Sequence, residues 1–267
     1  YFISMRKQAQ ILIVYLTVIS SLQCMSGCKF SGLETTAVEQ KLQESPLVLE
    51  EMSIEQLLPL AVKGDAEAQF QLGANYRRRA FFINAMHWHL RAAQQGHIRA
   101  QTNLAFMHYY GEGIDSDYAE AFRWFSAAAK KRDSIAQFML ASMYETGDGV
   151  AQDYANAFRY YAESAGQGNA ASQCFLAYLY QSGQGVEKNM TKAVKWYLRS
   201  AEQDYTLAQN ELAIIYYEGM GVKPDYAKAA KLFKKAAIAG DAWGQSNLST
   251  YYLDAKAEPV DTVLAYA

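Results

Sequence analysis

The sequence predicts an all-α protein, a solenoid of about six helical hairpins. Three observations carry that expectation. Gln69, Gln101, Gln137, Gln173, Gln209 and Gln245 recur at one step of 32 residues and then four steps of 36. In the same register stand Leu72, Leu104, Leu140, Leu176, Leu212 and Leu248, and then Tyr76, His108, Tyr144, Tyr180, Tyr216 and Tyr252. Gly-x-Gly pairs followed by Ile or Val punctuate the middle copies. A fixed period in the thirties marks stacked helical units, each of which cannot bury its apolar face alone.

The copy from Ala136 to Ala171 shows how one unit works. Ala136, Leu140 and Tyr144 are spaced by four and share one helix face. Ala141 beside them is small enough to admit a second helix. Gly147 and Gly149 stop this helix A, because glycine takes the left-handed conformation at helix ends without a Cβ clash. Val150 is an apolar plug in the loop. Asp153 is placed to cap helix B, its carboxylate accepting from unpaired backbone N–H groups. Ala157, Tyr160, Tyr161, Ser164 and Ala165 then repeat at helical spacing, and Gly168-Asn169 closes the cycle.

The units start near residues 65, 100, 136, 172, 208 and 244. The first lacks the Gly-x-Gly turn, is four residues short, and carries Arg77, Arg78 and Arg79 there. These arginines read either as a solvated loop or as a docking point for an acidic partner or lipid phosphates. The next four keep the turn as Gly111/Gly113, Gly147/Gly149, Gly183/Gly185 and Gly219/Gly221, with Asp117, Asp153, Asn189 and Asp225 at the cap. Asp117 with Glu120 fits a capping box. The sixth, from Gly244, has its turn replaced by Asp254 to Asp261, and Thr262 to Ala265 begins another helix B. An open apolar end there suggests that the natural chain continues. Ile54 to Lys63 reads as a lone helix B covering the first repeat, so the solenoid spans 54–267.

Ahead of it, Met5-Arg6-Lys7 and the uncharged run Ala9 to Leu22 fit a signal peptide over residues 1–28; the run is short for a membrane span. Met25-Ser26-Gly27-Cys28 resembles a bacterial lipoprotein box. By that resemblance Cys28 is lipidated, with cleavage to a soluble secreted form or retention as an anchor as alternatives. Residues 29–53 are polar, broken at Ser45-Pro46, and read as a flexible tether. The expected location is periplasmic or on a membrane as a lipoprotein.

The pattern of the unit, clearest from Ala208 to Ala237, resembles the Sel1-like repeat family, relatives of the tetratricopeptide repeats. The resemblance implies a right-handed superhelix of helix pairs that serves as a non-catalytic scaffold for protein partners. It also implies that one stripe of helix A, at the second, sixth and ninth residues after the opening Ala, lines a concave groove. The large side chains of that stripe, with one cation, are the candidate partner-binding residues: Phe70, Arg77, Phe106, Tyr109, Phe138, Tyr178, Ile214 and Tyr217. Burial against the next repeat is the competing reading for these aromatics.

Catalysis finds little support. There is no P-loop and no G-x-S-x-G, and Ser-x-x-Lys occurs only as Ser4 to Lys7 in the leader. His87 and His89 are two apart and point to different sides of a helix; no metal or cofactor is expected. Some secreted Sel1-like proteins carry a disulfide in each repeat and are linked to β-lactam binding. Here Cys174 stands alone in the repeats, so a β-lactamase-like enzyme is a secondary reading, as is a purely structural spacer or oligomerisation module. The net charge of −2 shows no large basic surface, and nucleic acid is not expected as a partner.

Overall fold

Helix starts and stops in this chain are written by short oxygen-bearing side chains and by residues in the left-handed region. The computed structural model describes residues 52–253. Among these it holds twelve α-helices and no strand: α1 (Ile54–Val62), α2 (Ala66–Arg78), α3 (Phe82–Gln94), α4 (Ile98–Tyr110), α5 (Tyr118–Lys130), α6 (Ser134–Thr146), α7 (Tyr154–Gly166), α8 (Ala170–Ser182), α9 (Met190–Ala201), α10 (Thr206–Glu218), α11 (Tyr226–Ile238) and α12 (Ala242–Leu253). The leader, Cys28, nearly all of the tether and the segment after Leu253 lie outside the described residues. The tether's last residue, Ser53, belongs to the fold: it caps α1 in a full capping box with Gln56.

The chain divides into two units, one ending at Leu104 and the other starting at Ala105. In the first, α1 supplies Leu57 and Ala61 to a core completed by Ala68, Leu72 and Trp88. It is the covering helix that the sequence predicted. The missing Gly-x-Gly loop is replaced by a tight turn. Arg77 and Arg78 end α2, Arg79 is its C-cap, Ala80 takes φ 61°, and the Phe81 N–H donates to the Tyr76 carbonyl at 3.0 Å. The arginines are thus the end of a helix, with only Arg79 beyond it.

In the second unit the four B-helix caps act as expected: Asp117, Asp153, Asn189 and Asp225 accept from the N–H groups of Glu120, Asn156, Lys192 and Lys228. Their own N–H groups reach back to the carbonyls of His108, Tyr144, Tyr180 and Tyr216 at 2.7–2.8 Å, which closes each loop. The Asp117–Glu120 capping box is only half made. The Glu120 carboxylate accepts from Arg123 and from Trp124 Nε1 instead. In both units Asp65, Asp133, Asn169 and Asp241 cap A-helices in the same way.

The recurring glutamine has a structural task. Gln69, Gln101, Gln173, Gln209 and Gln245 each donate through Nε2 to a carbonyl at the C-terminal end of the preceding B-helix, those of Ala61, Ala93, Ala165, Ala201 and Ala237. Each of those carbonyls also accepts from a backbone N–H of the turn that follows, so the glutamine adds a second donor that ties the next repeat to the end of the one before it. Gln95, Gln167 and Gln203 then donate to the side-chain oxygens of Gln69, Gln137 and Gln173.

The paired glycines do more than stop helices. Gly147, Gly183 and Gly219 are left-handed C-caps, as expected. The second glycine of the pair is where backbones meet. A Cβ on Gly149 would stand 2.4 Å from the Tyr118 carbonyl oxygen, and one on Gly185 2.1 Å from that of Tyr154. Each seats its turn on the first residue of the preceding B-helix. Gly168 also has positive φ, at 94°, but open space around it. Gly185→Ala therefore combines left-handed strain with a backbone clash and should cost roughly 3 kcal/mol or more, whereas Gly168→Ala should cost about 1 kcal/mol. Urea melts of the two variants followed by circular dichroism measure the difference.

Candidate partner-binding face

The stripe proposed for partner contact lies on the A-helices, and the structure splits it by depth. At its second position all residues are buried: Phe70 (3% exposed), Thr102, Phe138 (1%), Cys174 and Asn210. Phe106, at the sixth position, is also buried, at 4%. In the first unit Phe70 stacks on His97 at 4.7 Å, with the Arg99 guanidinium 4.5 Å from its ring centre. In the second, Phe106 meets Phe125 edge-on at 5.1 Å, and Phe138 packs on Tyr161 and Phe175 at 5.8 and 5.7 Å. Phe70, Phe106 and Phe138 are therefore packing residues, not presented anchors. The reason is geometric: Phe106 and Phe138 face the B-helix of their own repeat, and Phe138 also meets Phe175 of the next A-helix, so this side of the helix lies between elements.

Tyr109, Tyr178, Ile214 and Tyr217 in the second unit, and Arg77 in the first, remain half-buried. Tyr178 flanks the core of Cys174, Tyr197 and Leu212, and burial raises its hydroxyl pKa. Tyr217 lies edge-on to Tyr226 and Tyr251 at 5.7 and 6.0 Å. The Tyr109 hydroxyl donates to Asp148 Oδ2 at 2.9 Å, and burial beside that carboxylate pushes its pKa up.

Two polar members of the stripe face inward. Glu145 is buried and accepts from the buried Tyr161 hydroxyl at 2.9 Å, and Gln181 accepts from that of Tyr197 at 2.9 Å. Both pairs are sixteen residues apart. Where the B-helix carries Phe125 or Phe233 instead, the matching A-helix position holds Tyr109 or Tyr217. A buried phenol needs an acceptor and a phenyl does not. That pairing is readable in the sequence once the two helix faces are known to meet.

His89 occupies the same inner B-helix position in the first unit. It is fully buried, neither ring nitrogen has a hydrogen-bond partner, and burial lowers its pKa to about 3. It is a neutral aromatic filler. Its ring lies against Gly73, where a Cβ would come within 2.7 Å of Nδ1. His97 is a capping residue. Its Nδ1 accepts from Ala100 N–H, while Nε2 pairs with Glu67 at 2.8 Å and draws that carboxyl below its ordinary pKa. Burial raises the Cys174 thiol well above its usual range, against a reactive role.

Among the described residues no group of three or more His, Cys, Asp or Glu is placed to hold a metal ion. One open cavity of about 310 Å³ lies in the second unit, lined by Lys130, Arg132, Gln137, Arg159, Tyr160 and Glu163 among others. Here Gln137 donates to Glu163 Oε2 at 2.9 Å, unlike the other recurring glutamines.

Comparison with known proteins follows the same periodicity. The Sel1 repeat model matches residues 82–97, 98–133, 134–169, 170–205 and 206–241. The chain belongs to the Sel1 repeat family. Among solved structures, it resembles a Sel1 repeat protein from Oxalobacter formigenes with 27% identity and a TM-score of 0.66, over 80% of this chain and 96% of that one. It also resembles c5321, a protective antigen of uropathogenic Escherichia coli strains displaying an SLR fold, with 31% identity and a TM-score of 0.64 over 80% of this chain. The chain spans 54% of the length of that antigen. No curated protein matches the sequence. The fold class is that of the Sel1 family, an all-α superhelical repeat.

The buried phenol pairs give a direct test within this Sel1 protein. Tyr161→Phe removes this hydroxyl donor from the buried Glu145 carboxylate and should cost about 2 kcal/mol. Glu145→Gln copies the natural Tyr197–Gln181 pair and should change stability by less than about 1 kcal/mol. Urea midpoints of the two variants decide it.

Proposed function

We propose that this chain is a non-catalytic scaffold of a bacterial cell envelope that holds a protein or peptide partner against the A-helix face of its repeats. The observation that carries the reading is the row of large half-buried side chains, Tyr109, Tyr178, Ile214 and Tyr217, at the sixth and ninth positions of a stripe whose second position is buried throughout. Aromatic groups that keep part of their surface in water, on a rigid support, are the residue type on which interface energy concentrates. Sel1 repeats commonly mediate protein–protein contact, in keeping with this role.

The β-lactamase-like alternative loses support because Cys174 is the single cysteine of the repeats and is buried. A nitrocefin assay of the purified chain tests that alternative, and steady hydrolysis would overturn the scaffold reading. A spacer or oligomerisation module differs in predicting no partner-binding defect from changes on this face.

Affinity capture by the chain followed by mass spectrometry supplies the partner. Tyr178→Ala should then weaken its binding by about thirtyfold, the effect of a typical anchor truncation of ~2 kcal/mol. The thermal midpoint of the same variant is read alongside, so that lost binding with an intact fold is separable from unfolding. Unchanged binding favours the spacer. The envelope assignment rests on the leader and on Cys28. Labelling with a palmitate analogue should mark the wild-type chain and be lost in Cys28→Ala; equal signal in both means that Cys28 is not the lipidated residue.

A further inference from the structure

The net charge of −2 hides a strong segregation. Between Glu67 and Glu112 the chain has no acidic residue, yet this stretch carries Arg77, Arg78, Arg79, Arg91 and Arg99 and all four histidines. With those 5 arginines removed from the 25 basic residues, the rest of the chain holds 20 against 27 acidic ones. The balanced total therefore conceals a stretch, most of it in the first unit, whose charged side chains are all basic.

The structure gathers part of this stretch at one exposed tip, the turn between α2 and α3. Arg78 and Arg79 are exposed, and Arg78 also reaches Asn75 Oδ1 at 3.0 Å. Immediately after them Phe81 is 57% exposed and Ile83 65% exposed. Ile83 continues along the outer side of α3 with His87 and Arg91, four residues apart and all exposed. The arginines favour the C-terminal end of α2 through its dipole, and that alone would account for the charge. It does not account for two large apolar side chains in water beside them.

We propose that the α2–α3 turn docks onto an anionic membrane surface. Guanidinium groups pair with lipid phosphates in a forked geometry, and each basic residue near such a surface strengthens binding by roughly fivefold. Phe81 and Ile83 supply the second half of an interfacial anchor, apolar groups that enter the boundary between headgroups and acyl chains. A nucleic acid would satisfy the arginines but offers the aliphatic Ile83 nothing to enter, and an acidic peptide would leave both apolar groups in water. The lipid surface uses every exposed member of the tip.

The test uses the full chain, so that the leader is common to every sample. Sedimentation with phosphatidylcholine vesicles, with and without added phosphatidylglycerol, gives the excess binding due to anionic lipid. The wild type should show such an excess, lost in high salt. Arg78→Glu with Arg79→Glu should lower it by about tenfold or more. Phe81→Ser with Ile83→Ser should lower binding several-fold while leaving the salt dependence in place. Circular dichroism confirms that each variant is folded, and Arg79→Gln serves as a milder replacement if the double charge reversal is not. No excess in the wild type, or an excess that the arginine changes leave intact, overturns the proposal. So does indifference to the Phe81 and Ile83 changes. Arginine-dependent binding of an oligonucleotide or polyglutamate that exceeds vesicle binding overturns it in favour of that polyanion.

Discussion

Contact between one hairpin and the next is made of backbone as much as of side chains. At Gly149 and Gly185 the second glycine of the turn lies against the first carbonyl of the preceding B-helix, closer than any Cβ would allow, and Gly221 meets the Met190 side chain there instead. The recurring glutamine joins the same neighbours at the other end of the B-helix, where it gives a carbonyl a second donor. These two links fix the spacing of successive repeats at both ends of a helix. The side chains between them then have little freedom: a small residue such as Ala141, Ala177 or Ala213 where helices approach, and an aromatic at the inner B-helix position.

That inner position shows how a repeat tolerates variation without losing its packing. His89, Phe125, Tyr161, Tyr197 and Phe233 all occupy it and all are buried. Phenylalanine needs nothing further. Tyrosine is accompanied by Glu145 or Gln181 on the facing helix. Histidine is accommodated as a neutral ring beside Gly73, with its nitrogens unpartnered. A buried polar group without a partner is costly, so the first repeat sacrifices some stability at this point.

Much of this was legible in the sequence because period and turn chemistry are local. The Gln, Leu and Tyr register, the B-helix caps at Asp117, Asp153, Asn189 and Asp225, and the covering helix before the first repeat all follow from spacing and residue type. The A-helix caps at Asp65, Asp133 and Asn169 escaped notice because the residues beside them, Gly64 and Gly168 among them, read as the stops of the previous helix. The depth of the candidate stripe was not legible at all. Helical spacing says which residues share a face, but whether that face meets water or a neighbour depends on how tightly the repeats stack. Phe70, Phe106 and Phe138 went into the packing between helices, while Tyr109, Tyr178, Ile214 and Tyr217 kept part of their surface. Glu145 and Gln181, members of the same stripe, turn instead toward the Tyr161 and Tyr197 hydroxyls.

The glutamine link also gives the chain a direction. A B-helix that has just left the ribosome can close its end with the turn that follows, but the side chain that ties that end to the next hairpin is carried by a helix not yet made. That tie therefore forms only once the successor has been synthesised. A cut ahead of Gln173, Gln209 or Gln245 leaves the preceding B-helix without its second donor.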